Sequence, residues 1–332
     1  MKVTIDKNAG FCWGVVRTIA VAEESLKERP KVYCLGDIIH NTEEVARLKK
    51  LGLDTVTVND FPNLKKGSTI LIRAHGEPPE TYKKALEYGL ELIDATCPIV
   101  TRVQERVRKF VTQGYQIVIF GKKTHAEVVG INGVTGGTAI VVLNKEEALA
   151  AVDFKQPTVL FAQTTMDKQE FKDLAAALKE KLDTLIIGSM EETAVEYQAK
   201  DTICGQVSGR ESKLRQFAAE NDIIIFTAGR KSSNGKVLYN ICKEVNERTY
   251  FAETKEEIDW SWFEGAETIG ITGATSTPQW AMRQIKTLID LKFGITDDQP
   301  EAESLTEAEE PEEIAAEIAA EAAQKREKEK VL

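Results

Sequence analysis

Three cysteines in this chain are each followed by a polar residue 28 positions later. The pairs are Cys12 with His40, Cys97 with His125, and Cys204 with Ser232. The repeated interval indicates three similar units, each of which brings one soft metal ligand and one polar side chain to a shared place. With five cysteines in 332 residues, the chain favours free, metal-bound or catalytic thiols over a disulfide framework.

The three spaced cysteines suit an iron-sulfur cluster. Three thiolates can hold three irons of a cubane, and a fourth iron is then open to act on a substrate oxygen as a Lewis acid and to pass electrons. Zinc is the alternative. Structural zinc usually takes paired ligands such as C-x-x-C, which this sequence lacks, so a three-ligand catalytic zinc with a water stays open. Cys34 and Cys242 fall within apolar strand and helix patterns and are interpreted as packing residues.

Neutral polar side chains accompany the cysteines in loops that follow strand-like runs. The set contains all three histidines of the chain and is formed by His40, His75, His125, Thr164, Thr165, Ser232, Ser233, Asn234 and Ser276. Neutral donors together with helix N-termini can bind an anion such as a phosphate or diphosphate. Glu127 is an acid inside this set. Burial would raise its pKa and allow it to carry protons, whereas capping of the next helix is the alternative role.

The elements that must position these residues alternate between strand and helix from residue 2 to about residue 293, which is typical of parallel sheets built from βαβ units. Each cysteine lies where a strand-like run gives way to a helix-like one. Residues 3–5 lead through residues 10–12, and the second and third runs cover residues 92–97 and 201–204. Helical patterns follow over residues 15–28, 100–110 and 211–219. Strand carboxyl ends face the ligand crevice in open α/β sheets, and helix N-termini there stabilise thiolates.

The repeat predicts an α/β fold of three small lobes, with mostly parallel sheets around a shared centre. We expect the first lobe at 14–97, the second at 98–199 and the third at 200–293, with residues 1–13 completing the third. Residues 296–332 form an acidic tail with no expected catalytic part.

Charge and hydropathy exclude several classes of protein. The formal net charge is −10, but residues 296–332 contain 13 acids and 4 bases, so residues 1–295 carry only −1. The predicted lobes therefore have no basic footprint for nucleic acid. We find no secretory signal and no apolar run of bilayer length, which predicts a cytoplasmic protein without a membrane partner.

Nine short motifs surround the candidate site residues and follow one another over about residues 1–290. They are Gly10-Phe11-Cys12-Trp13-Gly14-Val15, His40-Asn41, Ala74-His75-Gly76, Asp94-Ala95-Thr96-Cys97-Pro98, His125-Ala126-Glu127-Val128, Gln163-Thr164-Thr165, Thr202-Ile203-Cys204, Ser232-Ser233-Asn234 and Ser276-Thr277-Pro278. In order and spacing, these motifs together resemble the 4-hydroxy-3-methylbut-2-enyl diphosphate reductases, which complete the methylerythritol phosphate route of isoprene biosynthesis.

The resemblance implies a pseudo-threefold trefoil around a [4Fe-4S] cluster, held by Cys12, Cys97 and Cys204 with one iron open. It also implies that Glu127 is the proton source and that Thr164 orders the hydroxyl end of the substrate. The implied diphosphate ligands are His40, His75, His125, Ser232, Ser233, Asn234 and Ser276, with Thr164 also contacting the substrate.

In that family, two electrons and two protons remove the substrate hydroxyl as water, giving isopentenyl or dimethylallyl diphosphate. The implied electron donor is ferredoxin or flavodoxin, because no G-x-G-x-x-G motif follows a strand to bind a dinucleotide. Two positions differ from the family pattern. Ala126 replaces a proline beside His125, and Val207 replaces a residue with a hydroxyl.

Two other functions fit parts of the pattern. A hydro-lyase would use the same open iron only as a Lewis acid and would need no reductant. A non-catalytic iron or redox sensor would engage a partner through the acidic tail and would not need the polar side chains.

Overall fold

The computed structural model describes residues 1–188 and 195–295. The predicted acidic tail at 296–332 therefore lies outside the described residues. No helix within the described ranges is long and apolar enough to cross a membrane.

The described chain alternates strands and helices along its length. The strands are β1 (Lys2–Ile5), β2 (Val32–Leu35), β3 (Leu53–Val56), β4 (Thr69–Ile72), β5 (Glu91–Asp94), β6 (Gln116–Phe120), β7 (Ile140–Val142), β8 (Thr158–Ala162), β9 (Tyr197–Lys200), β10 (Ile223–Thr227), β11 (Thr249–Ala252) and β12 (Thr268–Gly273). The helices are α1 (Trp13–Glu28), α2 (Thr42–Lys50), α3 (Pro79–Glu87), α4 (Pro98–Thr112), α5 (Ala126–Val134), α6 (Lys145–Ala151), α7 (Lys168–Gly188), α8 (Gly205–Ser208), α9 (Glu211–Ala219), α10 (Ser233–Val245) and α11 (Gln279–Phe293).

The strands form three separate four-stranded sheets, and every pairing in them is parallel. Their orders are β3-β2-β4-β5, β7-β6-β8-β9 and β11-β10-β12-β1. We call each sheet with the helices that cover it lobe 1, lobe 2 and lobe 3, respectively. The N-terminal strand β1 is an edge strand of lobe 3, where Lys2 is aligned with Thr268 and Ile5 with Ile271.

Each sheet is buried on both faces, which explains why its inner strands are almost entirely apolar. In lobe 3, Ile225 packs on one face in a cluster with Ile285, and Phe226 packs on the other face with Leu214. Lobes 1 and 2 are likewise each covered by two apolar clusters. The rigid sheets leave the loops at their carboxyl ends as the places where polar groups can gather.

The chain order reverses between the two central strands of each sheet, for example between β2 and β4. Ligands of open α/β sheets bind at such a reversal, outside the carboxyl ends of the strands. Each lobe therefore presents three loops at this edge. Two follow its central strands, and one follows the edge strand that precedes a cysteine.

Two predicted strand-like runs differ from the structure. The run expected over residues 92–97 is a strand only as far as Asp94, where β5 ends. The strand-like run expected over residues 201–204 is not a strand, because β9 already ends at Lys200. The Thr202 side chain replaces the backbone ladder there. Its hydroxyl donates to the Ala162 carbonyl at 2.6 Å and accepts from the Ala162 amide at 2.9 Å. Because the Thr202 side chain makes these two hydrogen bonds, the backbone after Lys200 does not continue the strand and turns towards Cys204.

Candidate active site

The three spaced cysteines occupy equivalent positions in the fold. Cys12, Cys97 and Cys204 are the N-cap residues of α1, α4 and α8. Each cysteine amide donates to a carbonyl in the loop after a central strand. The distances are 3.1 Å from Cys12 to Thr275, 3.0 Å from Cys97 to Ala74 and 2.9 Å from Cys204 to Thr164. All three cysteines line a single narrow cavity of about 110 Å³.

The thiols lie close together around the first turn of α1. A Cβ atom on Gly14 would come within 2.8 Å of the Cys97 sulfur and 4.0 Å of the Cys12 sulfur, so this position has room only for glycine. Burial raises the pKa of all three thiols, for Cys97 to about 12, while amides of the following helical turn oppose the shift. Buried thiols of this kind become thiolates when a metal replaces their protons. The donor set therefore fits a metal group held by three cysteines.

The three histidines meet at the other side of the same cavity. Their ring centroids are 5.0 Å apart for His40 and His75, 5.6 Å for His40 and His125, and 5.3 Å for His75 and His125. Burial lowers the pKa of His40, lowers that of His75 well below its usual value, and lowers that of His125 to about 4. The imidazoles are therefore neutral, and each can donate one hydrogen bond.

Several buried atoms of this cluster lack a hydrogen-bond partner among the described residues. They are both ring nitrogens of His40 and Nδ1 of His75. His125 Nδ1 accepts from the Glu127 amide at 3.3 Å, which places the His125 proton on Nε2. Buried polar atoms in native proteins are normally paired, so these orphan nitrogens indicate a ligand. One nitrogen from each ring lies within 4.8 Å of the others, so the cluster has the spacing to hold a metal ion as well as an anion.

Glu127 and Thr164 form a closed pair in lobe 2. Thr164 donates from its amide to Glu127 Oε1 at 2.7 Å and from its hydroxyl to Oε2 at 2.8 Å. Glu127 is only 1% exposed. Burial raises its pKa to about 7, and the two bonds from Thr164 oppose the shift. A carboxyl group in this state can hold or release a proton near neutral pH.

The polar residues of lobe 3 line the same cavity as this pair. Ser232 caps α10 and accepts from the Gly235 amide at 3.0 Å, and its hydroxyl lies 3.4 Å from that of Ser276. Asn234 Oδ1 accepts from the Thr275 amide at 3.0 Å and from the Thr275 hydroxyl at 2.8 Å. Asn234 Nδ2 is buried without a partner in the described chain and is free to bind a ligand.

The structure brings every predicted site residue to one cavity. Its lining includes Cys12, Cys97, Cys204, His40, His75, His125, Glu127, Thr164, Ser232, Ser233, Asn234 and Ser276. Thr165 and Val207 line it as well, so the valine that departs from the resembled pattern faces the site. Cys34 and Cys242 are buried in apolar clusters of lobes 1 and 3, as predicted.

Sequence reasoning missed three residues that hold the Cys12 loop. Gln206 Oε1 accepts from the Trp13 amide at 2.9 Å, and Arg210 donates to the Gly10 carbonyl at 2.8 Å. Gln279 donates to the Ala9 carbonyl at 2.7 Å. All three come from lobe 3 and fix the Cys12 loop against it. Nothing in their spacing distinguishes them from other polar residues at the N-termini of helices.

Fold and cavity together define a three-lobed α/β protein that places three thiols beside an anion pocket made of neutral donors. The chain belongs to the LytB protein family, whose model matches residues 3–290. A relative from Chloroherpeton thalassium, named 4-hydroxy-3-methylbut-2-enyl diphosphate reductase, is 45% identical over 308 residues, covering 88% of this chain and 98% of its own.

Solved structures agree with this assignment. One of (E)-4-hydroxy-3-methyl-but-2-enyl diphosphate reductase, described as the terminal enzyme of the non-mevalonate pathway, has a TM-score of 0.64 and 38% identity, covering 87% of this chain and 99% of that chain. The structure of the Plasmodium falciparum E-1-hydroxy-2-methyl-but-2-enyl-4-diphosphate reductase has a TM-score of 0.77 at 24% identity. The match covers 96% of this chain and 98% of that chain, and it supports the fold of this protein. The predicted family and three-lobed α/β fold are confirmed.

Proposed function

We propose that this protein is an oxidoreductase that converts 4-hydroxy-3-methylbut-2-enyl diphosphate to isopentenyl diphosphate and dimethylallyl diphosphate. Membership of the LytB family and relatives named as this reductase support the assignment. The observation that carries it is the single cavity lined by three thiols, a buried carboxyl group and neutral donors from all three lobes.

The proposed cofactor is a [4Fe-4S] cluster bound by Cys12, Cys97 and Cys204. Three equivalent N-cap cysteines, with two of the sulfurs around the glycine of α1, support this ligand set. When bound, the cluster would supply electrons and an open iron with Lewis acidity. The protein contributes the amides of the first helical turn, which favour the thiolate form of each ligand and oppose the effect of burial on its pKa.

The proposed diphosphate ligands are His40, His75, His125, Ser232, Ser233, Asn234 and Ser276. Three neutral imidazoles can donate without repelling one another as three imidazolium ions would. The orphan nitrogens of His40, His75 and Asn234 gain partners when an anion enters, and burial makes such bonds costly to leave unmade. The narrow cavity then fixes the position of the hydroxyl end relative to the cysteines.

Glu127 is the proposed proton source, and Thr164 is proposed to orient both Glu127 and the substrate hydroxyl. Removal of the hydroxyl as water consumes two protons and two electrons, and the C–O bond is the one that breaks. A carboxyl group with a pKa of about 7 is protonated often enough near neutral pH to donate. We propose ferredoxin or flavodoxin as the electron donor and the cytoplasm as the location.

We also propose that the lobes extend over 14–97, 98–199 and 200–293, with 1–13 belonging to the third. The pairing of β1 with β12 and the bonds from Gln206, Arg210 and Gln279 to residues 9–13 support the last assignment.

The experiment is anaerobic purification with iron and sulfide counting, followed by turnover of the hydroxylated allylic diphosphate with a chemical reductant. We expect a coloured protein that forms both products only when reductant is present. Colourless protein, or clustered protein that leaves the substrate unchanged, would refute the proposal. Conversion without reductant would instead identify a hydro-lyase.

A further inference from the structure

A second cavity opens beside the histidines and is wider than the one that contains the cysteines. Its volume is about 550 Å³, compared with about 110 Å³ for the inner cavity. Both cavities share His40, His125 and Ser233 in their walls, so they adjoin one another at the polar side chains. We call the wider cavity the vestibule. It is lined by His40, Arg73, Glu77, Lys122, Thr124, His125, Ala126, Val129, Lys231, Ser233 and Lys236.

The vestibule is basic, whereas the lining of the inner cavity contains no lysine or arginine. Arg73, Lys122, Lys231 and Lys236 line the vestibule, and Glu77 is the one acid in its lining. The four cations come from all three lobes, so their meeting depends on the fold. It could not be seen from net charge, because residues 1–295 carry only −1 in total.

Arg73 acts on the Glu77 carboxyl group, whose pKa its charge lowers against the effect of burial, whereas the three vestibule lysines have no such acidic partner among the described residues. Within the described ranges, no salt bridge involves Lys122, Lys231 or Lys236, whereas the neighbouring Arg230 pairs with Glu257 at 2.8 Å. Lys122 Nζ instead donates to the Ser233 hydroxyl at 2.9 Å, on the wall that the two cavities share. Burial, followed by the charge of Lys236, lowers the pKa of Lys122, as expected of a cation without an anionic partner.

A ligand that enters through the vestibule therefore meets its cations first and the neutral donors of the inner cavity second. A ligand whose uncharged end reaches the cysteines leaves its anionic end at the histidines and the vestibule. Unpaired cations around a cleft raise the local concentration of anions and increase their rate of association. The neutral donors inside then hold the anion without the added charge attraction that would slow the release of an anionic product.

We propose that the vestibule is an entrance site that captures the organic diphosphate by charge and transfers it to the histidines. This inference rests on the proposed function, because it takes a diphosphate to be the ligand of the inner cavity. Lys231 and Lys236 act in capture from solution. Lys122 acts at the boundary, where its bond to Ser233 is replaced by a bond to the arriving anion.

The test uses the holoenzyme with Lys231→Gln and Lys236→Gln combined, since both side chains are exposed and their replacement leaves the cores intact. At low ionic strength we expect kcat/KM for the allylic diphosphate to fall about tenfold, with kcat falling less than about twofold. The decrease of kcat/KM with added salt should also become shallower. Lys123→Gln is the matched control, because Lys123 is exposed beside Lys122 but outside the vestibule lining.

Two outcomes separate failure of this inference from failure of the proposed function. If the wild type turns over and the double variant keeps its kcat/KM and salt dependence, the vestibule is refuted and the function stands. A readout that needs no turnover is calorimetric titration with inorganic diphosphate at low salt. We expect about tenfold weaker binding in the double variant than in the wild type and Lys123→Gln. Equal affinities would overturn the vestibule even if the protein proved inactive.

Discussion

Lobes 2 and 3 place the same kind of hydrogen-bonded pair at the same point of the site, but only one pair can carry a proton. In lobe 2, Thr164 donates from its amide and hydroxyl to the Glu127 carboxylate. In lobe 3, Thr275 donates from its amide and hydroxyl to the Asn234 amide oxygen. His125 and Ser232 each lie 28 positions after a cysteine. Glu127 comes two residues after His125, and Asn234 comes two residues after Ser232.

The equivalence of the pairs is set by the backbone. Thr164 and Thr275 are the residues whose carbonyls accept from Cys204 and Cys12, and Ala74 has this place in lobe 1. Ala74 has no hydroxyl. Thr42, which the 28-residue spacing aligns with Glu127, is the first residue of α2 and donates to Glu253 instead. The same backbone arrangement therefore occurs in all three lobes. Different side chains at the aligned positions give the cavity an acid from lobe 2, a neutral donor from lobe 3 and neither group from lobe 1.

The largest expected effect comes from making the lobe 2 pair resemble the lobe 3 pair. Glu127→Gln keeps one of the two oxygens that accept from Thr164 but removes the acidic proton. Turnover should therefore fall by about two or more decades, the scale of losing a general acid. Iron content and substrate affinity should stay near those of the wild type. The measurement combines steady-state turnover, metal analysis and substrate titration.

Glu105→Gln is the control for this variant, because Glu105 is an exposed acid on α4 of the same lobe. Its turnover should match that of the wild type. Unchanged turnover in Glu127→Gln would remove the role assigned to Glu127, whereas loss of the cluster would show a structural role.

The reverse exchange in lobe 3 should affect binding more than chemistry. Asn234→Asp keeps the acceptor for Thr275 but loses the unpaired Nδ2 donor and adds a negative charge facing the diphosphate. Loss of a hydrogen bond to a charged group costs about 1.5–3 kcal/mol, so KM should rise about ten- to a hundredfold while kcat changes less. A fall in kcat as large as that of Glu127→Gln, with KM unchanged, would contradict a binding role for Asn234.

The pH dependence of kcat/KM should be set by the Glu127 carboxyl group of the lobe 2 pair alone. The pKa of Glu127 is raised to about 7, so its proton is present below that pH and lost above it. We expect kcat/KM to fall about tenfold per unit as pH rises beyond this value. Profiles of the wild type and Glu127→Gln, measured with excess reductant, test this expectation. The same descending limb in both proteins would assign it to another group.

The sequence alone predicts most of the fold, because the buried strands of parallel sheets are apolar runs that are easily distinguished from the helical patterns between them. The predicted alternation of strands and helices is present in the described residues, and α9 has the predicted bounds of 211–219. The cysteines, histidines and lobe 3 hydroxyls were found because they follow these strands at regular spacing. Strand ends in parallel sheets necessarily meet at one edge, which makes this part of the site a consequence of topology.

Contacts between lobes could not be predicted in the same way. The bond from Lys122 to Ser233 joins lobes 2 and 3 through residues that are 111 positions apart. Even within lobe 3, the bond from Arg210 to Gly10 joins residues that are 200 positions apart. Gly229 illustrates the difficulty, because a Cβ there would lie 1.9 Å from the His40 carbonyl oxygen of another lobe. Such a close approach depends on how complete lobes pack together, and no local pattern encodes it.

The smallest expected effect separates the two threonines. The Thr164 hydroxyl bonds to the Glu127 carboxylate and lowers its pKa, so Thr164→Val should move the descending limb of kcat/KM to higher pH. One hydrogen bond to a charged group allows a shift of about one unit, because each unit corresponds to about 1.4 kcal/mol. Thr275→Val removes the equivalent bond to Asn234, which does not titrate, and should weaken binding without moving the limb. Equal shifts in both variants would mean that the limb reports a general change in the cavity, and the division of roles between lobes 2 and 3 would fail.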